Sequence, residues 1–392
     1  MKMFSRKVIL AAICLILLVT WWGFSSRMKA RILVSLPGGI KDYAVSSQGL
    51  VAVTGGSSAA ESQRVIVLIN DSGSVNRVDT TSANGSIEWV NFSPDGRKLV
   101  GNTYGGLWIA EIEHDNITKE TSTGPRATGN SWDLRDISRP ALFNAGLVWC
   151  ISPPNKKSST LLASRWKIDN ADFSDRKYIR MSQPTAFRRV QFLLSPNGEK
   201  AATVWEHIGA GGVTTVHGPN QGLIEIWDMV QDKKICELEK IQPKGLSPLV
   251  FSPDAKYVAA GDSTGTGYIW NAQHGQLVQT ISGLHHREKG QGRRYNMGYG
   301  NLSFYPPINL TFTPDNRRLI AALNDGYIIA YDFESGLPLH ILTKRDKPIG
   351  RLTVSPDNRK LYFVEDETLS QMDKYKRQTL YSIPLPEFSK AP

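Results

Sequence analysis

Cysteine is scarce in this sequence, with three in 392 residues. Cys14 lies in an apolar run near the N-terminus, which leaves Cys150 and Cys236 for the rest of the chain. Two cysteines cannot form the disulfide framework of a small secreted domain. Their neighbours, in LVWCIS and KKICELE, are typical of strands in which a free cysteine packs as a small hydrophobe. We therefore expect two packed thiols, with a single bridge between them as the alternative.

The sequence also lacks the short motifs of common catalytic sites. It contains no G-x-S-x-G, no H-E-x-x-H, no phosphate loop ending in Gly-Lys-Ser/Thr and no C-x-x-C. Four histidines, His207, His217, His285 and His286, lie in long insertions, and we expect them to be solvated because a metal site needs several converging ligands. The sequence thus predicts no catalytic residues, no cofactor and no metal.

Long apolar runs are absent except for one near the N-terminus. Residues 8–24 are uncharged and apolar, follow Lys2, Arg6 and Lys7, and are long enough as a helix to cross a bilayer. This pattern predicts a signal anchor over residues 1–25, a tether over 26–30, and a single-pass membrane protein with its remaining chain on the extracytoplasmic side. The alternative is a cleaved signal peptide and a secreted or periplasmic protein, because Gly23 and Ser25 form a small-x-small site.

A repeat dominates the remainder of the chain. A β-branched or apolar residue precedes Ser/Thr-Pro-Asp/Asn, a polar pair and alternating apolar residues, which is the pattern of a strand, a tight turn and a second strand. The clear copies are FSPDGRKLVG (92–101), LSPNGEKAAT (194–203), FSPDAKYVAA (251–260), FTPDNRRLIA (312–321) and VSPDNRKLYF (354–363). Degenerate copies are VSSQGLVAV (45–53) and ISPPNKK (151–157).

Two further strands follow most of these turns. Third strands are indicated at 107–113, 223–229, 267–273 and 327–333, and fourth strands at 233–239, 276–282 and 338–344. Seven units of four strands predict an all-β fold, a seven-bladed β-propeller over residues 31–392, after one transmembrane helix. The segment RILVSL at 31–36 is predicted to be the outer strand of the last blade, in competition with TLYSI at 379–383.

These motifs resemble those of WD-repeat propellers and their bacterial relatives with Ser-Pro-Asp-Gly turns. The best matches are FSPDG at 92–96, IWD at 226–228, IWN at 269–271 and AYD at 330–332. The Gly-His dipeptide that usually precedes the first strand is absent, so the hydrogen-bond network that depends on it cannot be carried over. The resemblance implies a propeller and a protein-interaction role, and no more specific function.

The chain is longer than seven blades require, and three insertions account for most of the extra residues. All three are predicted to emerge from the face of the propeller opposite the Ser/Thr-Pro turns. They span 116–141, 206–221 and 283–307. Extra loop length on one face of a repeat array is a common place for binding. The candidate partner-binding residues in them are Trp132, Arg135, His217, His285, His286, Arg287, Arg293, Arg294, Tyr295 and Tyr299.

The positive charge of the chain concentrates on the turns. Lys and Arg number 46 against 36 Asp and Glu, a formal net charge of +10. If the turn face lies toward the membrane, the candidate membrane-facing basic residues are Arg97, Lys98, Lys156, Lys157, Arg317, Arg318, Arg359 and Lys360. Nucleic acid is not an expected partner, because the predicted anchor exports the chain.

The sequence therefore predicts a membrane-anchored, non-enzymatic protein-interaction platform whose protein partners are unknown. The competing hypothesis is a propeller enzyme, or a propeller that binds a small ligand or metal in its central funnel. The resemblance implies this alternative, because some propellers that this chain resembles carry such sites. That hypothesis requires acids, histidines or calcium ligands that converge at the inner strands, and their spacing in the sequence indicates none.

Overall fold

The computed structural model shows a chain of short antiparallel strands, with no helix among the described residues. It describes residues 28–37, 39–55, 65–80, 87, 89–103, 106–123, 147–152, 160–167, 177–182, 187–207, 223–241, 249–262, 265–281, 309–323, 326–347, 349–366 and 377–387. Within these residues the strands form seven sheets, and we number the sheets in chain order. The all-β fold class predicted from the repeat is confirmed.

Sheets 1 to 3 use the strands that follow β1 (Arg31–Pro37) along the chain, and within each sheet every strand pairs antiparallel with the next. Sheet 1 contains β2 (Ile40–Val45), β3 (Val51–Gly55), β4 (Val65–Ile69) and β5 (Val75–Asp79). Sheet 2 contains β6 (Val90–Phe92), β7 (Lys98–Thr103), β8 (Gly106–Glu113) and β9 (Asn116–Thr123). Sheet 3 contains β10 (Leu147–Ser152), β11 (Thr160–Lys167) and β12 (Lys177–Ser182).

Sheets 4 to 6 repeat the four-stranded order. Sheet 4 contains β13 (Phe187–Leu194), β14 (Lys200–His207), β15 (Leu223–Asp228) and β16 (Lys233–Glu237). Sheet 5 contains β17 (Val250–Phe251), β18 (Tyr257–Gly261), β19 (Gly267–Asn271) and β20 (Leu277–Ile281). Sheet 6 contains β21 (Asn309–Phe312), β22 (Arg318–Ala322), β23 (Tyr327–Asp332) and β24 (Pro338–Lys344). The third and fourth strands indicated by the sequence are confirmed in these three sheets.

Sheet 7 joins the two ends of the described chain. It contains β25 (Ile349–Val354), β26 (Lys360–Asp366) and β27 (Arg377–Pro384), and its fourth strand is β1 (Arg31–Pro37). Arg31 lies opposite Ser382 and Pro37 opposite Arg377. The predicted outer strand at 31–36 is confirmed. The competing segment TLYSI lies in β27, between β26 and β1, so the prediction that it forms the edge is wrong.

Neighbouring sheets pack against each other through shared apolar side chains. Trp108 of sheet 2 packs in one cluster with Ile66 of sheet 1, and Val53 of sheet 1 packs in another with Tyr362 of sheet 7. Further clusters join sheet 7 to 6, sheet 6 to 5 and sheet 5 to 4. Six of the sheets are thus linked in the order 2-1-7-6-5-4. Small antiparallel sheets that follow one another and pack in series form a β-propeller-like repeat fold.

The structure corrects the limits of two predicted insertions. Residues 116–123 form β9, the outer strand of sheet 2, and residues 206–207 end β14. The polar, Thr-rich segment NITKETST shows no strand pattern in the sequence because β9 is an outer strand with only partly buried or exposed side chains. The described part of sheet 3 contains three strands, and the predicted fourth strand stays a prediction.

The predicted localisation is also wrong. No helix in the described parts of the chain is long and apolar enough to cross a membrane. A chain can cross as a helix only where a long apolar helix satisfies its backbone hydrogen bonds within lipid. The prediction of a single-pass membrane protein is therefore not retained. The predicted anchor at 8–24 lies outside the described residues.

Candidate interaction surface

The Ser/Thr-Pro turns share one hydrogen-bond geometry. In five of them the hydroxyl of the first residue donates to the carboxylate or amide oxygen two residues later, over 2.5 to 2.7 Å. The same hydroxyl accepts the backbone N–H five residues later, over 2.8 to 3.0 Å. The first residues are Ser93, Ser195, Ser252, Thr313 and Ser355. We call the sheet ends that carry these turns the turn end, and the opposite ends the linker end.

Three carboxylates of these turns, those of Asp95, Asp254 and Asp357, have lowered pKa values. The hydroxyl of Ser93 donates to Asp95 and lowers the pKa of that carboxyl. Partial burial opposes ionisation of Asp254 and Asp357, yet hydrogen bonds from the turn hydroxyl and backbone lower the pKa of each. Asn197 occupies the equivalent position in sheet 4 and keeps the same acceptor without a charge.

Neighbouring turns are bonded to one another. The Lys200 ammonium of sheet 4 donates to the carbonyl of Ala255 in sheet 5 over 3.1 Å. Equivalent contacts join sheet 5 to 6, sheet 6 to 7, sheet 7 to 1 and sheet 1 to 2: Asp254 to Asn316, Asn358 to Asp315, Lys360 to Asp71 and Asn70 to Asp115. These contacts show that the turn ends of six sheets lie on one face of the protein.

The candidate basic residues of the turns divide into two groups. Arg97, Arg317 and Arg359 are exposed. In contrast, Arg318 is buried and forms an ion pair with Asp315 at 3.3 Å, and Lys360 donates to Asp71 at 2.7 Å. Lys98 is half-buried, while Lys156 and Lys157 lie outside the described residues. Part of the basic charge of the turns therefore stabilises the turn end itself.

The strand ends that flank the three long insertions lie at the linker end. Thr123 pairs with Leu107, Leu223 with Trp205, and Ile281 with Gly267, each at the end of its sheet opposite the turn. His207 and Asn309 lie at the same end of their strands. This polarity agrees with the prediction that the insertions leave from the face opposite the Ser/Thr-Pro turns.

A buried ion pair near the linker end joins three sheets. Asp42, on β2, is 3% exposed and forms an ion pair with Arg351 of β25. Its other carboxylate oxygen accepts the backbone N–H of Val90, on β6, over 2.9 Å. The Arg351 guanidinium also lies over the Tyr43 ring, 4.6 Å from its centre. One carboxylate thereby fixes the inner strands of sheets 7, 1 and 2.

A second ion pair of the same kind joins sheets 6 and 7. Arg345, which follows β24, donates to the buried carboxylate of Glu365 over 2.5 Å and lies over the Tyr381 ring at 4.4 Å. The bond to Glu365 raises the pKa of Arg345. A buried charge is tolerated when it is paired and hydrogen-bonded in this way. The two ion pairs make the linker end a fixed frame.

The sequence-predicted partner residues fall outside the described part of the chain. These are Trp132, Arg135, His217, His285, His286, Arg287, Arg293, Arg294, Tyr295 and Tyr299. The sequence analysis in turn missed Asp42, Arg351, Glu365 and Arg345. Their signal was a charge within or beside an apolar strand, as in IKDYAV, IGRLTV and KLYFVED.

The described residues contain no group of three or more His, Cys, Asp and Glu side chains that could hold a metal ion. Cys236 is a free, half-buried thiol whose pKa is raised by burial. The prediction of a packed thiol is confirmed at this position.

Comparison with known proteins shows a distant similarity to a curated protein. No protein-family model matches the chain. The chain is similar to meiotic recombination protein rec14 of Schizosaccharomyces pombe, with 25% identity over 237 residues. The aligned region covers 58% of this chain and 70% of that protein. This degree of similarity is too low to assign the chain to a family, whereas the repeat of small antiparallel sheets stands on the structure alone.

Proposed function

We propose that this protein is a non-enzymatic protein-interaction platform, built as a closed seven-bladed β-propeller. Two observations support the closed ring: β1 completes sheet 7 from the other end of the chain, and shared clusters link six of the sheets in series. Closure leaves no long free inner edge, which a fold of this many strands must avoid.

The observation that carries the interaction role is the convergence of long connections on one end of the molecule. The segments after β9, β14 and β20 are longer than the other connections between described strands, and all start at the linker end. The ion pairs of Asp42 and Glu365 hold that end in one geometry. A rigid frame with long loops on one face is a common design for protein binding.

The proposed contact segments are 124–141, 208–221 and 283–307, after removal of the residues that form β9 and β14. The partner-binding candidates in them remain Trp132, Arg135, His217 and the basic and aromatic group His285, His286, Arg287, Arg293, Arg294, Tyr295 and Tyr299. Aromatic and Arg side chains are enriched at the centres of protein interfaces.

Proximity labelling in native cells tests this proposal. The full chain is compared with a variant in which 285–300 is replaced by a Gly/Ser segment of equal length. A matched control replaces 367–376, the connection between β26 and β27, in the same way. We expect a set of partners that the control retains and the 285–300 variant loses. Identical partner sets for all three proteins would refute the contact segments, and turnover of a small molecule by the purified chain would favour the enzyme hypothesis.

A further inference from the structure

Sheet 3 differs from the other sheets in the cover of its last strand. Among the described residues the other six sheets have four strands each, whereas β12 pairs with β11 on one side and with no described strand on the other. Four residues, 183–186, connect β12 to β13. The fourth strands of the other sheets are five to eight residues long, and a tight hairpin turn takes about two residues. The connection after β12 is therefore too short to supply a fourth strand.

The uncovered edge of β12 is a template for another strand. β12 pairs with β11 along its whole length, from Lys177 opposite Arg165 to Ser182 opposite Thr160. In an antiparallel pair, the backbone N–H and C=O groups of alternate residues point away from the partner strand. Such a row of unpaired groups can bind an extended peptide by adding it to the sheet.

The other sheets show what a fourth strand contributes to the fold. Each of their fourth strands places at least one aliphatic side chain in a core cluster. These side chains include Leu33 of β1, Val78 of β5, Ile117 of β9, Ile235 of β16, Ile281 of β20 and Leu342 of β24. Because one face of such a strand lies toward the core, a strand that completes sheet 3 is expected to carry aliphatic residues at alternate positions.

The charge of sheet 3 indicates what the other face of the added strand carries. Opposite charges join the third and fourth strands of two sheets, Glu111 with Lys119 at 3.7 Å and Glu225 with Lys234 at 3.3 Å. The three strands of sheet 3 instead contain four Lys and Arg and no Asp or Glu. Since opposite charges on adjacent strands stabilise their pairing, a fourth strand with acidic residues complements sheet 3.

The acids nearest in the chain do not remove this charge. The connection 168–176, between β11 and β12, contains three Asp and Arg176, and it leaves from the linker end of the sheet. Arg180 lies three residues into β12, about 10 Å along the strand from that end. This separation exceeds the Debye length of about 8 Å at physiological salt, so Arg180 is the cation on β12 that is farthest from local neutralisation.

Two other occupants of the edge match its charge less well. A second copy of the chain would place β12 beside β12 and so bring like charges together. The segment 124–146, which leads into sheet 3, contains three Arg and two Asp. We infer that the edge of β12 binds an extended segment of a partner protein in which acidic residues alternate with aliphatic ones. β12 is not part of the proposed contact segments, so either proposal can fail without the other.

Fluorescence anisotropy with the full chain tests the binding. The probe is a labelled eight-residue peptide in which Glu alternates with Val, and two comparators carry N-methyl groups on the backbone of either the Glu or the Val residues. Because a strand pairs along one edge through alternate residues, we expect one comparator to lose binding and the other to retain it. Retention of binding by both comparators would overturn strand addition. Binding only after 124–146 has been replaced by a Gly/Ser segment would show that the chain covers its own edge, and would refute the partner.

Charge reversal then locates the site. A peptide with Lys in place of Glu should bind at least about tenfold more weakly than the Glu peptide, and Arg180→Glu should reverse this preference. Arg77→Glu is the matched control, because Arg77 is an exposed cation on β5, in a sheet that has its four strands. An unchanged preference in Arg180→Glu would exclude β12. Thermal melting confirms that each variant is folded, and Arg180→Gln, which should weaken binding of the Glu peptide, replaces Arg180→Glu if that variant does not fold.

Backbone hydrogen exchange of the unsubstituted chain gives an independent readout. The Glu peptide should slow exchange of the amides in 177–182 and leave exchange in β5 unchanged, since only the edge of β12 gains hydrogen bonds. Equal exchange in 177–182 with and without the peptide would contradict the inference. A dimer in size-exclusion chromatography that the peptide dissociates would assign the edge to a second copy instead.

Discussion

The buried ion pair of Asp42 and Arg351 gives the sharpest test of how the frame is held. Replacing Arg351 by Met keeps a long side chain but removes the charge. Asp42 is 3% exposed, so its carboxylate would remain in the interior, where it accepts the backbone N–H of Val90. Removing one partner of a buried pair costs about 3–5 kcal/mol, because the other charge is left uncompensated. The lost contact with the Tyr43 ring acts in the same direction.

Urea unfolding of the full chain at neutral pH measures this cost. Tryptophan fluorescence and circular dichroism should give coincident transitions if the unfolding is two-state. The control is Lys119→Met, which breaks an ion pair with Glu111 whose side chains are 70% and 47% exposed. An exposed pair of this kind contributes less than about 1 kcal/mol.

The double variant Asp42→Asn with Arg351→Met separates the buried charge from the lost packing. Asn keeps an oxygen for the Val90 N–H but carries no charge, so the double variant should be more stable than Arg351→Met alone by at least about 1 kcal/mol. The reasoning is refuted if Arg351→Met costs no more than Lys119→Met. It is also refuted if the two substitutions destabilise additively.

Three further predictions concern the turns and the closure of the fold. Ala255 has a φ of 56°, in the left-handed region, and the equivalent residues of the other turns are Gly or Asn. Because glycine adopts this conformation readily, Ala255→Gly should leave the free energy of unfolding within about 1 kcal/mol of wild type. Ala259→Gly, in the buried strand β18, should lower it by more than that, and thermal unfolding of both variants measures the difference. Asp95, Asp254 and Asp357 have lowered pKa values in the folded protein, so the stability that they contribute is present above the unfolded pKa and is lost as the pH falls through the folded pKa. In acid titrations, a triple Asp→Asn variant should therefore lose less stability than the wild type between about pH 5 and pH 2. An acid transition identical to that of the wild type would contradict this prediction. Deletion of 1–37 removes β1 with its packed residues Leu33, Val34 and Leu36, so the free energy of unfolding should fall by at least about 4 kcal/mol. The exposed edge of β27 should also promote self-association, which size-exclusion chromatography detects. A stable monomer would contradict the closure of the fold by β1.

The repeat could be read from the sequence because each turn carries its own local signal. All the hydrogen bonds of the turn hydroxyl lie within six consecutive residues. The pattern SPDG or TPDN therefore predicts the hydrogen bonds that form at Ser93 or Thr313. The third strands were equally legible, since IWD, IWN and AYD end on a residue that caps the next turn, as Asp228 does. Local chemistry of this kind does not depend on distant partners.

The outer strand β9 and the ion pairs near the linker end could not be predicted in the same way. NITKETST contains no apolar alternation, and it becomes a strand only because β8 lies beside it. Asp42 and Arg351 are separated by more than 300 positions, and only the packing of sheet 7 on sheet 1 brings them together. Long-range pairing in a ring of repeats is set by which copy neighbours which, and no single copy encodes that information.

The contacts of the basic turn residues change the interpretation of the net positive charge. In the sequence, a net charge of +10 with basic turns pointed to an external anionic surface. In the structure, Lys200, Arg318 and Lys360 bond to groups of their own or neighbouring turns and so help to lock the turn end. A cation engaged in this way contributes less to long-range attraction than one that faces solvent.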